Sequence, residues 1–413
     1  MRVLWISIMP LPQASNALGQ RGTVLGGWME SAANELVKQP NLHLAIASTY
    51  GGKELLCRRV GEIDYYFLPC ANPSVYDAGL HQYWKAIKQK FQPDLVHIHG
   101  TEFPLGLAYV DACGAENVVV SIQGLVAECA KHYHDGMTKW QIIKNVTLHD
   151  LAVGTILHRK RDFERRAVYE VSLLKQVNDV IGRTAWDKDR TGVINPERNY
   201  HFCNETLRTP FYSLLWKYAD CKKHTLFAIG QGNYPLKGTH QLLKALPVII
   251  KRFPDTQLRV AGSDIMPRDW KHRMAYSNYL NHLIKKNHLE GHVTFLGAIP
   301  AEQMCRELLS CNAYVLPSTI ENSSNSLGEA QLAGVPCVAA RVGGIPSLVL
   351  DKEQGRLYDF FDTEELADLI CRTFEESSHF DNTTMRQMAK DRHDPEQNCA
   401  QLLKIYKEVA NAE

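Results

Sequence analysis

Two carboxylates separated by seven residues, Glu321 and Glu329, dominate the stretch from Pro317 to Gly344, PSTIENSSNSLGEAQLAGVPCVAARVGG. Ser323, Ser324, Asn325 and Ser326 stand between them, where a helix would begin. The N–H groups of a helix start suit a phosphate or a sugar hydroxyl. Glu329, one turn in, is placed to accept hydrogen bonds from a ribose diol. The same letters also carry a purely structural reading. Ser326-x-x-Glu329 is a capping box, in which Glu329 would only bond back to the helix start. A second candidate lies upstream in Gln231-Gly-Asn-Tyr-Pro-Leu-Lys237-Gly238, a loop between an apolar run and a helical pattern. With a helix start behind it, Lys237 is more than an exposed loop lysine and could serve an anionic ligand.

The elements around these residues decide where they meet. Ala313–Leu316 reads as a strand, Ser326–Ala333 as a short helix stopped by Gly334 and Pro336, and Cys337–Ala340 as the next strand. Such a unit is parallel, and its loop lies at the carboxyl edge of the sheet, where open α/β sheets bind ligands. The same alternation runs from the start of the chain. Strand patterns fall at Val3–Met9, Leu42–Ala47, Asp64–Leu68, Leu95–Ile98 and Val118–Ile122, then at Val180–Gly182 and Tyr200–Cys203. A second series begins at Thr225–Gly230 and continues at Gln257–Ala261 and His292–Leu296. The expected fold class is α/β, with two doubly wound domains facing across a cleft. The expected boundaries are 1–210, 211–395, and a last helix from 396 to 413 that packs back on the first domain.

Several strand ends in the first half carry polar residues. His97 shares a strand face with Leu95 and reads as a packed core histidine, whereas His99, at the edge, is expected to face the cleft. Gln123-Gly124 follows Ile122, and Gly26-Gly27 precede a helix pattern from Trp28 to Lys38. Between Leu125 and Lys175 the alternation stops. Lys131-His132-Tyr-His134-Asp135 makes a poor metal ligand set and reads instead as a mobile acceptor loop. Asp187-Lys-Asp189 lies in a helical pattern and reads as a surface helix. Arg159, Lys160, Arg161, Arg165 and Arg166 share a helical pattern with Phe163, Ala167, Val171 and Leu174. A solvated face is one reading of that run, and a basic amphipathic helix on anionic lipid is the other.

Composition sets outer limits. A chain of 413 residues suits two domains, and its net charge of +1 gives no global field towards nucleic acid. The eleven cysteines are scattered without a C-x-x-C pair, as in reduced cytoplasmic proteins. The opening strand pattern shows no signal peptide, and no apolar run approaches a membrane span. The expected location is the cytoplasm, with the inner face of the membrane as a surface the protein can contact.

The order strand, Pro317-Ser318, Glu321-x7-Glu329, helix, AGVPCVA, Gly343-Gly344 resembles the signature of retaining glycosyltransferases of family four, which have the GT-B fold. The resemblance covers nearly the whole chain and is strongest from Phe227 to Gly355. It implies two Rossmann-like domains and a metal-independent hexosyl transfer from a nucleotide-diphosphate sugar, with no other cofactor. Glu329 would meet the ribose and Glu321 the transferred sugar, while Lys237 would face the leaving diphosphate. Gly26 and Gly27 would let backbone approach that diphosphate, with Gln231, Ser324 and Asn325 beside it. Gln123 stands where the family often has a histidine, Gln231 where it usually has arginine, and Ser347 where it usually has glutamate. His99, His132 and His134 are expected on the acceptor side. Capsule and cell-envelope relatives, which are bacterial, act on polyprenyl-linked glycans, so the implied acceptor is a glycan or a lipid-linked glycan. A non-catalytic nucleotide-sugar-binding relative and a nucleotide-sugar epimerase are the alternatives.

Overall fold

The structure is a computed structural model that describes residues 1–18, 27–263, 265–267 and 269–410. Gly26, with Gly19 and Gly22, lies outside the described residues. Two compact units divide the chain. The first gathers 1–127, 162–208 and 392–413, and the second gathers 128–161 and 209–391.

The first unit is built on eight strands: β1 (Arg2–Ser7), β2 (His43–Tyr50), β3 (Leu56–Val60), β4 (Ile63–Pro69), β5 (Leu95–His99), β6 (Val118–Ser121), β7 (Asp179–Gly182) and β8 (Asn199–Phe202). Their order is β3-β4-β2-β1-β5-β6-β7-β8. All neighbours pair in parallel except β3 and β4, a hairpin that the strand patterns did not reveal. In β3 the outer arginines Arg58 and Arg59 are exposed, as a charged edge strand requires. One face of the sheet buries Leu4, Ile6, Val96, Ile98, Val118 and Val120 with Trp84 and Tyr109. The other buries Val3, Trp5, Leu95 and Val119 with the last helix, Pro395–Ala410. Tyr406 on that helix accepts from Trp5 Nε1 at 2.8 Å and lies 2.6 Å from His97 Nδ1. His97 also meets Ser121 Oγ at 2.6 Å, so it is a core histidine with both nitrogens satisfied.

Six parallel strands make the second sheet: β9 (Thr225–Ile229), β10 (Gln257–Ala261), β11 (Val293–Gly297), β12 (Ala313–Leu316), β13 (Cys337–Ala340) and β14 (Arg356–Tyr358). They run in the order β11-β10-β9-β12-β13-β14. Strands β9, β12 and β13 are buried over nearly their whole length, as the apolar runs of a sheet covered on both faces must be.

The stretch 128–161 groups with the second unit although it falls within the first half of the sequence. Its backbone supplies the reason. Asp135 O lies 2.9 Å from His240 Nε2, Gly136 O accepts from Lys244 Nζ at 2.6 Å, and Asn145 O accepts from Asn278 at 3.3 Å. Thr147 Oγ1 donates to Arg273 O at 3.0 Å. His240 is fully buried among these partners, and burial lowers its pKa to about 3. Asp187, expected on a surface helix, is instead fully buried. With Thr184 it forms the capping box of the helix Ala185–Ile194, and it accepts from Tyr200 Oη at 2.6 Å. All eleven cysteines are free thiols.

Candidate functional site

At the carboxyl ends of β9 and β12 two loops of the second unit are pinned together by their backbones. Thr319 N donates to Leu236 O at 2.8 Å. Gly238 has φ +65°, and a Cβ there would lie 1.6 Å from Pro317 O, so no other residue fits this approach. The loop after β13 closes on the same point. Gly344 N donates to Glu321 O at 3.0 Å, and a Cβ on Gly343 would lie 2.0 Å from that oxygen. Three loops from three strands are thereby held in one register around Lys237 and Glu321.

The side chains follow. Lys237 Nζ donates to Glu321 Oε1 at 2.6 Å, and Ser318 Oγ donates to the same oxygen at 2.7 Å. Both ends of the pair keep some exposure, 28% for the lysine side chain and 15% for the glutamate. A cation and a carboxylate are therefore presented together, each balancing the other.

The helix behind them settles the capping question. It runs from Asn325 to Ala333, and its cap is Ser324, whose side chain accepts from Leu327 N. Ser326 lies inside the first turn and takes a hydrogen bond from Tyr314 Oη at 2.7 Å. Ser326-x-x-Glu329 is therefore no capping box. Glu329 sits in the second turn with only 2% of its surface exposed. Gly334, at φ +82°, ends the helix.

Gln231 is exposed, and Gly27 opens the helix Gly27–Leu36 of the first unit, with Arg208 against its Cα. Asn233, which carried no expectation, is 2% exposed at φ +47°, and its amide oxygen and nitrogen have no partner among the described residues. An unpaired buried amide costs about 1–3 kcal/mol. The only signal for it in the sequence is an asparagine next to a glycine in a strand-to-helix loop.

In the first unit the polar strand ends form a different arrangement. Gln123, Arg183 and Glu205 follow β6, β7 and β8, three neighbouring strands. Arg183 Nη1 is ion-paired with Glu205 Oε2, and Arg183 also donates to Ile122 O at 3.1 Å. Gln123 Nε2 donates to Glu205 Oε1 at 2.5 Å. The amide of Gln123 is thus committed to an ion pair. Neither Arg183 nor Glu205 was expected from the sequence.

His99, at the end of β5, is half-buried. Its ring centroid lies 4.3 Å from that of Trp5 and 3.8 Å from that of His97, with Trp28 at 5.9 Å. Neither ring nitrogen has a hydrogen-bond partner among the described residues, and burial lowers its pKa to about 3. It lines a pocket with Trp28, Leu36, Cys203, Asn398 and Leu402. His132 Nδ1 lies 2.7 Å from Asp135 Oδ2, which raises the imidazole pKa, while His134 is half-buried.

The five basic residues between 159 and 166 do not form one exposed patch. Arg166 is buried against Phe103 and Phe163, bonds Asp162 at 3.1 Å and donates to Glu102 O at 2.9 Å. Arg165 pairs with Asp162 as well. Beside them Glu170 takes N–H bonds from Val126 and Ala127 at 2.8 and 3.0 Å, and burial pushes the Glu102 carboxyl up to about 7.

Residues 219–393 match the family model described as glycosyl transferases group 1. Over 143 residues the chain is 29% identical to the GDP-mannose-dependent alpha-(1-6)-phosphatidylinositol monomannoside mannosyltransferase of Mycolicibacterium smegmatis, covering 33% of this chain and 35% of that one. It is 27% identical to the D-inositol 3-phosphate glycosyltransferase of Corynebacterium diphtheriae over 265 residues, 60% of each chain. The matches thus span less than two thirds of either relative's length. Among solved structures, sucrose-phosphate synthase from Thermosynechococcus elongatus aligns over 100% of both chains with a TM-score of 0.71 and 17% identity. The Anabaena protein HepE in complex with UDP and glucose aligns over 99% of this chain and 100% of its own, with a TM-score of 0.66 and 15% identity. The fold is that of the GT-B class, two Rossmann-like domains.

Proposed function

We propose that the chain is a retaining glycosyltransferase that moves a sugar from a nucleotide-diphosphate sugar to a glycan or lipid-linked glycan, without a metal. The observation that carries this reading is the Lys237–Glu321 pair, locked by Gly238 and Gly343 inside the stretch that matches the group 1 family. The names of the relatives support it, since they include a GDP-mannose-dependent mannosyltransferase and a protein bound to UDP and glucose.

In the proposed reaction the bond between the anomeric carbon and the diphosphate oxygen breaks, and the acceptor oxygen bonds to the same face of the sugar. The acceptor proton passes to the leaving phosphate, so no separate protein base takes part. Departure of the diphosphate develops negative charge. Lys237 would meet that charge, together with the N–H groups at the start of the helix Asn325–Ala333. Ser324 and Asn325 would border the phosphates and Glu329 would accept from the ribose, while Glu321, freed from Lys237, would turn to the sugar hydroxyls. Gln231 completes the proposed donor contacts of the second unit. His99, His132 and His134 are assigned to the acceptor side, and Gln123, standing where the family often has a histidine, to the transferred sugar.

A binding-only relative is the second reading, favoured by two observations. Gln231 places no cation beside Lys237, and the amide of Gln123 is already taken by Glu205. A panel of UDP-, GDP- and ADP-sugars, scored by thermal stabilisation and by slow donor hydrolysis, separates the two. A ligand at a hundred times its dissociation constant adds about 2.7 kcal/mol to stability. Stabilisation with hydrolysis supports transfer, stabilisation alone supports binding only, and neither with any nucleotide sugar removes the proposal.

A further inference from the structure

The stretch 138–161 exposes six large apolar side chains. In the helix Lys139–Lys144, Ile142 is buried beside Asn145, while Trp140 is 70% exposed and Ile143 56%. In the next helix, Leu148–Val153, the buried residue is Asp150, whereas Leu148 is 86% exposed, Leu151 71% and Val153 44%. Leu157, at the start of the following helix, is 38% exposed. Isolated exposed leucines are ordinary, but five large apolar side chains on two consecutive short helices, with a sixth at the start of the next helix, are not. The polar sides of these helices are spent inside the protein. Thr147 caps Asp150, and Asn145 receives a hydrogen bond from Asn278.

Charge identifies what such a face would meet. Between 138 and 161 there are five basic residues, Lys139, Lys144, Arg159, Lys160 and Arg161, against one acidic residue, the fully buried Asp150. The segment thus carries +4, while the whole chain carries +1. Lys139 and Lys144 are both exposed and flank Trp140 and Ile143 on one short helix. A tryptophan and aliphatic side chains bordered by lysines is the composition of a helix that lies in a membrane interface. A second copy of the chain is a poorer match, because pairing this face with itself would bring two segments of charge +4 together.

We infer that the apolar face of 139–157 is a docking surface for an anionic lipid bilayer, with Trp140, Ile143, Leu148 and Leu151 entering the headgroup region and Lys139 and Lys144 meeting its negative charge. Attachment of this kind is peripheral. Among the described residues no helix is long and apolar enough to cross a membrane. The inference does not depend on sugar transfer, although a lipid-linked acceptor would give it a use.

The test is sedimentation of the full chain with vesicles of pure phosphatidylcholine and of equimolar phosphatidylcholine and phosphatidylglycerol, at low and high salt. Wild type should pellet with the anionic vesicles at low salt and be released by high salt. Joint replacement of Trp140, Ile143, Leu148 and Leu151 by serine should weaken binding at least about tenfold without lowering the melting temperature, because all four side chains are exposed. Lys139→Gln with Lys144→Gln should weaken it by about fivefold per charge and reduce the salt dependence. The inference is overturned if wild type does not pellet with anionic vesicles, or if the serine variant pellets as wild type does. It is also overturned if gel filtration shows a dimer that the serine changes dissolve while vesicles stay empty. Because the readout is binding, it can succeed where the transfer assay fails, and the reverse.

Discussion

The strand ends of the two units handle their polar residues in opposite ways. In the second unit Lys237 and Glu321 are partly exposed, and the rigid part is backbone: Gly238 against Pro317, and Gly343 against Glu321. Charge is held ready on a fixed frame, as a site for an anionic ligand requires. In the first unit the charges are themselves the frame. The Arg183 and Glu205 side chains are 5% and 11% exposed, and Gln123 is bonded into their pair. The difference teaches that a polar residue at the carboxyl edge of a parallel sheet is not by that fact a ligand contact. Its partners decide.

Substitutions can break this contrast. The largest effect is expected in the first unit. Arg183→Met removes the cation from the largely buried Glu205 carboxylate and should lower stability by about 3–5 kcal/mol, read by denaturant unfolding. Adding Glu205→Leu should restore much of the loss. A single variant as stable as wild type would show that the pair is not structural. In the second unit Lys237→Ala should leave the fold intact, because its side chain is partly exposed, yet slow transfer by about a hundredfold or more. Unfolding on that change, or turnover close to normal, would erase the distinction between the two units.

The same contrast explains what could be read from the chain. Glu321, Glu329 and Lys237 lie in short loops directly after apolar strand patterns, so local pattern and sheet rule together place them on one edge. The cap was misplaced by two residues because the S-x-x-E pattern favours Ser326, whereas the extended backbone at Ser324 already captures Leu327 N. Arg183 and Glu205 gave no such signal. They meet only because β6, β7 and β8 are neighbours, and strand order is a property of the assembled sheet. The stretch 128–161 escaped for a related reason. Its bonds to His240, Lys244 and Asn278 span more than a hundred positions in sequence and use mostly backbone oxygens, which every residue has.

An intermediate effect separates the two carboxylates. Glu329→Gln should weaken donor binding by about tenfold with turnover little changed, since a ribose contact is present in ground and transition states alike. Glu321→Gln should lower turnover instead, because it also loosens Lys237. Equal loss of affinity in both variants would mean that the two residues share one role.

The smallest effect at neutral pH, and the one that probes the first unit most finely, is expected from His99→Phe. The imidazole is packed against Trp5 and His97 with neither nitrogen partnered among the described residues, so phenylalanine should hold the same place without a polar group to desolvate. Stability at pH 7 should stay the same or rise by about 1 kcal/mol. The difference should grow in acid. Burial holds His99 near pKa 3, whereas the unfolded chain binds the proton near 6.5. Between these values the unfolded state carries more protons than the native one, so stability falls as pH is lowered. His97, His240 and His393 are depressed by burial too and contribute in the same sense, while Glu102, raised to about 7, acts in the opposite sense. Glu35, Arg183 and Glu205 are the charged residues that line the same pocket. Removing one of the four histidines should make the acid limb shallower by up to about 1.4 kcal/mol per pH unit. Denaturant unfolding of wild type and variant at pH 7, 6 and 5 measures it. Parallel limbs would mean that His99 is solvated or partnered in solution.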